Sequence, residues 1–108
     1  MPFTIKQFDT SPSIGMNLQA ADGSAVSIVA ALDVRFHMRL RGSEVPVIDA
    51  RARVIDAAGG VVAYDWLAED TAVSGRYEAE VEITYTDGSI ETFPNGSYEQ
   101  ITIVDDVT

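Results

Sequence analysis

Cysteine is absent from the 108-residue sequence, which excludes disulfides, thiolate metal sites and cysteine nucleophiles at once. Histidine occurs once, at His37, so a zinc site would have to be completed by carboxylates alone. Basic residues are few, seven against seventeen acidic ones, for a net charge of -10. That balance repels nucleic-acid phosphates and anionic membranes, so neither is expected as a partner. The ordinary use of surplus acid is solubility. No apolar run nears the ~20 residues of a membrane span, and Met1-Pro2-Phe3-Thr4-Ile5-Lys6 lacks the charged start and apolar block of a signal peptide. Helical signal is nearly missing, confined to a single turn's worth in Ala68–Ser74. There is no repeat, linker or low-complexity segment, and residues 1–108 read as one domain.

What the sequence does have is alternation. In Gly75–Gly88, Tyr77, Ala79, Val81, Ile83 and Tyr85 fall on one side of an extended chain, and Glu78, Glu80, Glu82 and Thr84 on the other. A half-buried strand of that length needs a second sheet over its apolar face. Leu32, Val34, Phe36, Met38 and Leu40 alternate as cleanly against Asp33, Arg35, His37, Arg39 and Arg41. Shorter strands are predicted over Phe3–Gln7, from Ser13 through Leu18, over Val61–Leu67, over Ser89–Phe93 and over Tyr98–Val104. Val47–Asp56 reads as one strand, with Ala50, Ala52 and Val54 on one face, small residues opposite Tyr64 and Trp66 across the Ala57–Gly60 hairpin. Pro46 places its start at a sheet edge. Ala25–Ala31 reads as a loop packing inward, Asp22-Gly23 as a turn, Asp87-Gly88 as a two-residue turn, and Pro94-Asn95-Gly96 as an interruption.

Seven to eight short strands, turns about every ten residues and almost no helix predict an all-β, immunoglobulin-like antiparallel sandwich. Ser74-Gly75-Arg76-Tyr77 then matches the opening of strand F, where a tyrosine folds its hydroxyl back to upstream backbone; Ala79 stands where a cysteine often follows. Gly75, Tyr77 and a buried Trp66 are the expected structural residues. Arg35, His37 and Arg39 should face Glu78, Glu80 and Glu82 across neighbouring strands.

Reactive constellations are wanting. His37 lies between two arginines on an outer face and reads as a surface residue. No serine sits in a Gly-x-Ser-x-Gly turn, and Gly59-Gly60 lacks the lysine of a phosphate loop. Glu69-Asp70 and Asp105-Asp106 are solvated loop or terminal pairs, and Asp22, Asp87 and Asp105 fit no twelve-residue calcium pattern. No catalytic residue, cofactor or metal is predicted. Trp66 with Tyr64 and Tyr98 would suit a sugar-binding floor only if exposed, and alternation puts Trp66 in the core.

The order Gln7-Phe8-Asp9-Thr10-Ser11-Pro12, Ala21-Asp22-Gly23, Leu32–Arg39, Gly75-Arg76-Tyr77 and Asp87-Gly88 with Thr92-Phe93-Pro94 resembles small immunoglobulin-like domains of tailed-bacteriophage structural proteins. It is similar in particular to the N-terminal domain of baseplate upper proteins. Phe8 departs by standing where a small residue, often glycine, is usual, and Val29-Ala30 stands where a Thr-Gly turn is usual. The resemblance implies a non-enzymatic part of the virion, assembled in the host cytoplasm. Its implied partners are tail, baseplate or capsid proteins, with homo-oligomerisation open and capsid decoration as one form of the role. Such a domain would dock through exposed apolar residues, for which Phe3, Phe8, Phe93 and Tyr98 are the candidates. The alternative is a module that binds the host surface or a carbohydrate.

Overall fold

The computed structural model of the protein describes residues 2–107. Nine strands form two sheets: β1 (Phe3–Lys6), β2 (Ile14–Asn17), β3 (Ala31–Leu40), β4 (Pro46–Arg51), β5 (Arg53–Asp56), β6 (Val61–Tyr64), β7 (Gly75–Tyr85), β8 (Ile90–Phe93) and β9 (Glu99–Val104). The larger sheet runs β1-β9-β7-β3-β4, with β8 also on β7, and the smaller runs β2-β6-β5. In immunoglobulin lettering β2-β6-β5 is B-E-D and β9-β7-β3-β4 is G-F-C-C′, the arrangement expected. Only β1 with β9 is a parallel pair among the described strands.

The count exceeds seven to eight because one predicted strand is cut in two. Val47–Asp56 is not one strand. It crosses from one sheet to the other at Ala52, whose N–H donates to Val34 O at 2.9 Å after β4 leaves β3 and before β5 joins β6. Ala50 consequently lies opposite Phe36 in the larger sheet, not across a hairpin from Tyr64. β8 and β9 lie along the same edge of β7 but not in one register. Val81 pairs with Phe93 and Ala79 with Glu99, so two steps along β7 are matched by six along the edge, and Pro94–Ser97 loops out. The turn before β8 is also longer than two residues, since Tyr85 N–H donates to Ser89 O at 2.9 Å around Thr86-Asp87-Gly88.

The core follows the alternation. Tyr77, Ala79, Val81 and Ile83 of β7 and Val34, Phe36 and Met38 of β3 are buried, facing Ile14, Met16, Val62 and Tyr64 of the smaller sheet. The two ends of the β3 apolar face are exposed: Leu40 at 41%, and Leu32 at 71% because the β3–β7 register slips between Ala31 and Asp33 and leaves it in the irregularity. Phe36, fully buried, stacks on Tyr64 with centroids 4.5 Å apart and rings within 8° of parallel. Trp66 stands edge-on to both. Burying one such ring contributes about 1.5–3 kcal/mol and each ring pair about 0.5–1.5 kcal/mol more, so this trio is the principal tie between the layers. The predicted helical turn is a 3-10 turn, Ala68–Thr71. Asp70 holds it by accepting from Tyr64 Oη at 2.6 Å and Leu67 N–H at 2.8 Å, while buried Thr71 donates its hydroxyl to Asp9 O at 2.9 Å.

Candidate functional site

The expected structural residues occupy defined places. Tyr77 is buried and donates its hydroxyl to Val73 O at 2.7 Å, closing the corner before β7. Gly75 has φ 151°, and a Cβ there would press on Leu40 Cδ1 at 3.2 Å. Trp66 is buried, with no hydrogen-bond partner for its indole N–H among the described residues.

The four contact candidates separate. Phe93 is 3% exposed because it faces the core opposite Val81, which removes it as a surface contact. Phe3 is half-buried against Trp66, ring centroids 5.9 Å apart. Phe8 is 56% exposed at φ 66°, a left-handed conformation that costs a bulky residue about 1–2 kcal/mol. Backbone bonds on either side hold it there, Gln7 N–H to Val104 O and Phe8 N–H to Thr71 O. Tyr98, 44% exposed, lies beneath the Arg39 guanidinium, 4.8 Å from the ring centroid. With Trp66 buried and Tyr98 covered on one face, no open aromatic floor of the kind a sugar stacks on is formed by these three residues.

Tyr98 belongs to the outer face of the larger sheet, where the polar sides of β1, β9, β7, β3 and β4 meet. The two groups face each other as expected, and the register brings Arg35 opposite Glu82, His37 opposite Glu80 and Arg39 opposite Glu78. Only the last pair closes, Arg39 Nε to Glu78 Oε1 at 3.2 Å, and that bond raises the Arg39 pKa. Arg35 and His37 turn instead to Asp49 on β4, at 3.0 Å each, and Arg35 also donates to Asp49 O at 2.9 Å. The Arg35 bond, outweighing some desolvation, holds the Asp49 carboxyl below its usual range. Arg51 reaches Asp33 at 3.7 Å. Asp49 is the hub that sequence reasoning missed, since its role depends on which β4 residue the β3 register selects. His37, Arg39, Glu78, Glu80 and Tyr98 line part of a cleft of about 230 Å³ on this face.

The face is also where the charge of the molecule cancels. Lys6, Arg35, Arg39, Arg41, Arg51 and Arg76 lie on it, and so do Asp33, Asp49, Glu78, Glu80 and Glu82, with Glu44 at the cleft rim. Six cations offset six carboxylates, leaving Arg53 against the other eleven carboxylates, so the whole net charge of -10 lies elsewhere on the chain.

The sequence model of the BppU N-terminal domain matches residues 3–94. The chain belongs to this family. As a BppU N-terminal domain it is a baseplate-related phage structural domain and a component of the virion, which implies contact with other virion proteins. A search of curated proteins finds no match. The matched span ends at Pro94, the first residue of the looped-out segment; β9, beyond it, pairs with both β1 and β7 and completes the sheet.

Proposed function

We propose that this BppU N-terminal domain is a non-catalytic adaptor of the tail or baseplate, assembled in the host cytoplasm and acting by protein–protein contact through the outer face of its larger sheet. The observation that carries this reading is the charge distribution. Away from this face Arg53 alone stands against eleven carboxylates, whereas this face offers matched charge, a cleft and the exposed ring of Tyr98. Phe8 supplies a second exposed aromatic contact, beside the junction of β1 and β9.

Lys6 is the only lysine in the sequence and lies on this face. An amine-reactive cross-linker applied to intact particles, scored by mass spectrometry for links at Lys6 and not at the chain's α-amine, therefore samples the proposed contact surface. Links from Lys6 to tail or baseplate proteins are the expected result. Links confined to capsid protein would replace the adaptor with a capsid decoration, and capture of host-surface glycan by the free domain, without virion links, would replace both with a receptor-binding role.

A further inference from the structure

The outer face of the larger sheet does not satisfy all of its own charge. Once its four internal ion pairs are set aside, Glu80 and Glu82 are left half-buried on β7 with no ion pair or side-chain hydrogen bond among the described residues. At the other end of the same face Arg41 and Arg76 share a cleft of about 290 Å³, joined through Arg41 N–H to Arg76 O, and their guanidinium groups likewise have no partner among the described residues. Lys6 lies towards that end, two residues beyond the Thr4–Thr102–Arg76 row. Acid is left over at one end and base at the other, on one rigid strand pair.

Arg76 and Glu82 are six residues apart on β7, about 20 Å at ~3.4 Å per residue. A two-fold axis near the Arg39–Glu78 pair, lying in the plane of contact and across the strands, would bring the Arg76 end of one copy over the Glu80–Glu82 end of another, and the reverse. An isologous contact of that kind satisfies both leftover groups twice.

We infer that the domain self-associates through this face, two copies packing sheet to sheet with β7 antiparallel to β7, Arg76 of each lying over Glu80 of the other with Glu82 two residues on, and Arg41, in the same row on β3, reaching Glu80 from one strand to the side. The occupant is a second copy, which in the particle would itself be one of the virion neighbours this face meets, because the leftover charges are complementary to themselves. On this face two chains of charge -10 meet without surplus like charge. The area suffices: strands of four, six, eleven, ten and six residues, at ~3.4 Å per residue and ~4.8 Å between strands, cover about 600 Å² per copy, at the lower end of the ~600–1,000 Å² per partner of ordinary stable interfaces. The inference does not rest on the virion role, since it concerns the isolated domain in solution.

Sedimentation velocity on the whole chain, from about 1 to several hundred micromolar, tests it with two charge-reversed variants, E80K/E82K and R41E/R76E. The wild type is expected to dimerise, at least tenfold more weakly in 1 M salt, where the Debye length falls to about 3 Å. Each variant alone should be monomeric, because like charges then oppose across the axis. Mixed one to one, they should form a heterodimer, since the lysines introduced into the first variant meet the acids introduced into the second. A monomeric wild type, a variant that dimerises alone as tightly as wild type, or a mixture that stays monomeric overturns the proposal. Should a variant fail to fold, judged by far-UV circular dichroism, amide shift changes in the wild type on dilution decide instead. Changes centred on residues 76–82 support the interface, and their absence refutes it.

Discussion

Replacing Tyr77 by phenylalanine isolates a single atom on which the corner before β7 depends. The ring stays in the core, so burial of its carbons is unchanged, and what is lost is the 2.7 Å bond from its hydroxyl to Val73 O. A typical intramolecular hydrogen bond contributes about 0.5–1.5 kcal/mol, and a group left unsatisfied in the interior costs about 1–3 kcal/mol. Tyr77 is 5% exposed, whereas Val73 is 66% exposed, so water can reach the chain near the orphaned carbonyl and the lower half of that range applies. The expected loss is about 1–1.5 kcal/mol, or roughly 5–10 °C in Tm for a domain of this size, read by urea and thermal unfolding followed by circular dichroism. Tyr85→Phe is the comparator: its hydroxyl donates to exposed Glu91 at 2.7 Å, and removing it should change stability by less than about 0.5 kcal/mol. An alkaline titration adds an independent reading. Burial raises the Tyr77 pKa, and burial followed by the Glu91 bond pushes Tyr85 up to about 12. Both phenols thus favour the folded state fully below pH 10 and lose that contribution as the pH climbs through their folded values. Wild-type stability should fall above pH 10, and Tyr77→Phe should fall less steeply. If Tyr77→Phe costs no more than Tyr85→Phe, the corner is ornamental and the reasoning fails.

Phe8→Gly should raise stability by about 0.5–1 kcal/mol in the same assay, because it relieves a left-handed φ while giving up a ring that is mostly in solvent; a loss would mean the ring packs more than its exposure indicates. Gly60→Ala should cost more than about 2 kcal/mol or prevent folding, since φ is 66° and the added Cβ would strike Val26 O, with Leu18 O next nearest at 3.1 Å. Asp65→Asn should flatten the acid limb of the Tm-against-pH curve. Arg53, then Ser13, hold the Asp65 carboxyl down at about 2, so its contribution is present above about pH 4 and lost as the pH falls towards 2; equal acid slopes in the two proteins would show that the Arg53 pair contributes nothing.

Much of the fold is legible in the sequence because alternation survives wherever a strand has one wet face. The β7 side chains from Tyr77 to Ile83 and the β3 side chains from Val34 to Met38 are buried in the phase that period two predicts. The errors fall where alternation carries no information. It runs unbroken through Ala52, so nothing in the pattern marks the change of sheet. It runs through Leu32 too, although a slip in register turns that residue out. Phe93 reads as the rim of an open end, but its place depends on pairing with Val81, a contact twelve residues away. For the candidate face, the sequence shows acids and arginines on opposing strands, while the pairing row by row comes from the β3–β7 register. The sequence does not show that Arg35 and His37 choose Asp49 over Glu82 and Glu80. That choice depends on the third strand, and with it which charges are left for a neighbour.

The parallel pairing of β1 and β9, Phe3 with Ile101 through Lys6 with Val104, sets how the domain would respond to pulling. Tension applied between residue 3 and residue 104 acts lengthwise along two strands that point the same way, so it stresses their hydrogen bonds together in shear and cannot peel them apart one by one. A domain clamped in this manner yields abruptly at a high force, a useful property wherever a molecular machine strains its parts.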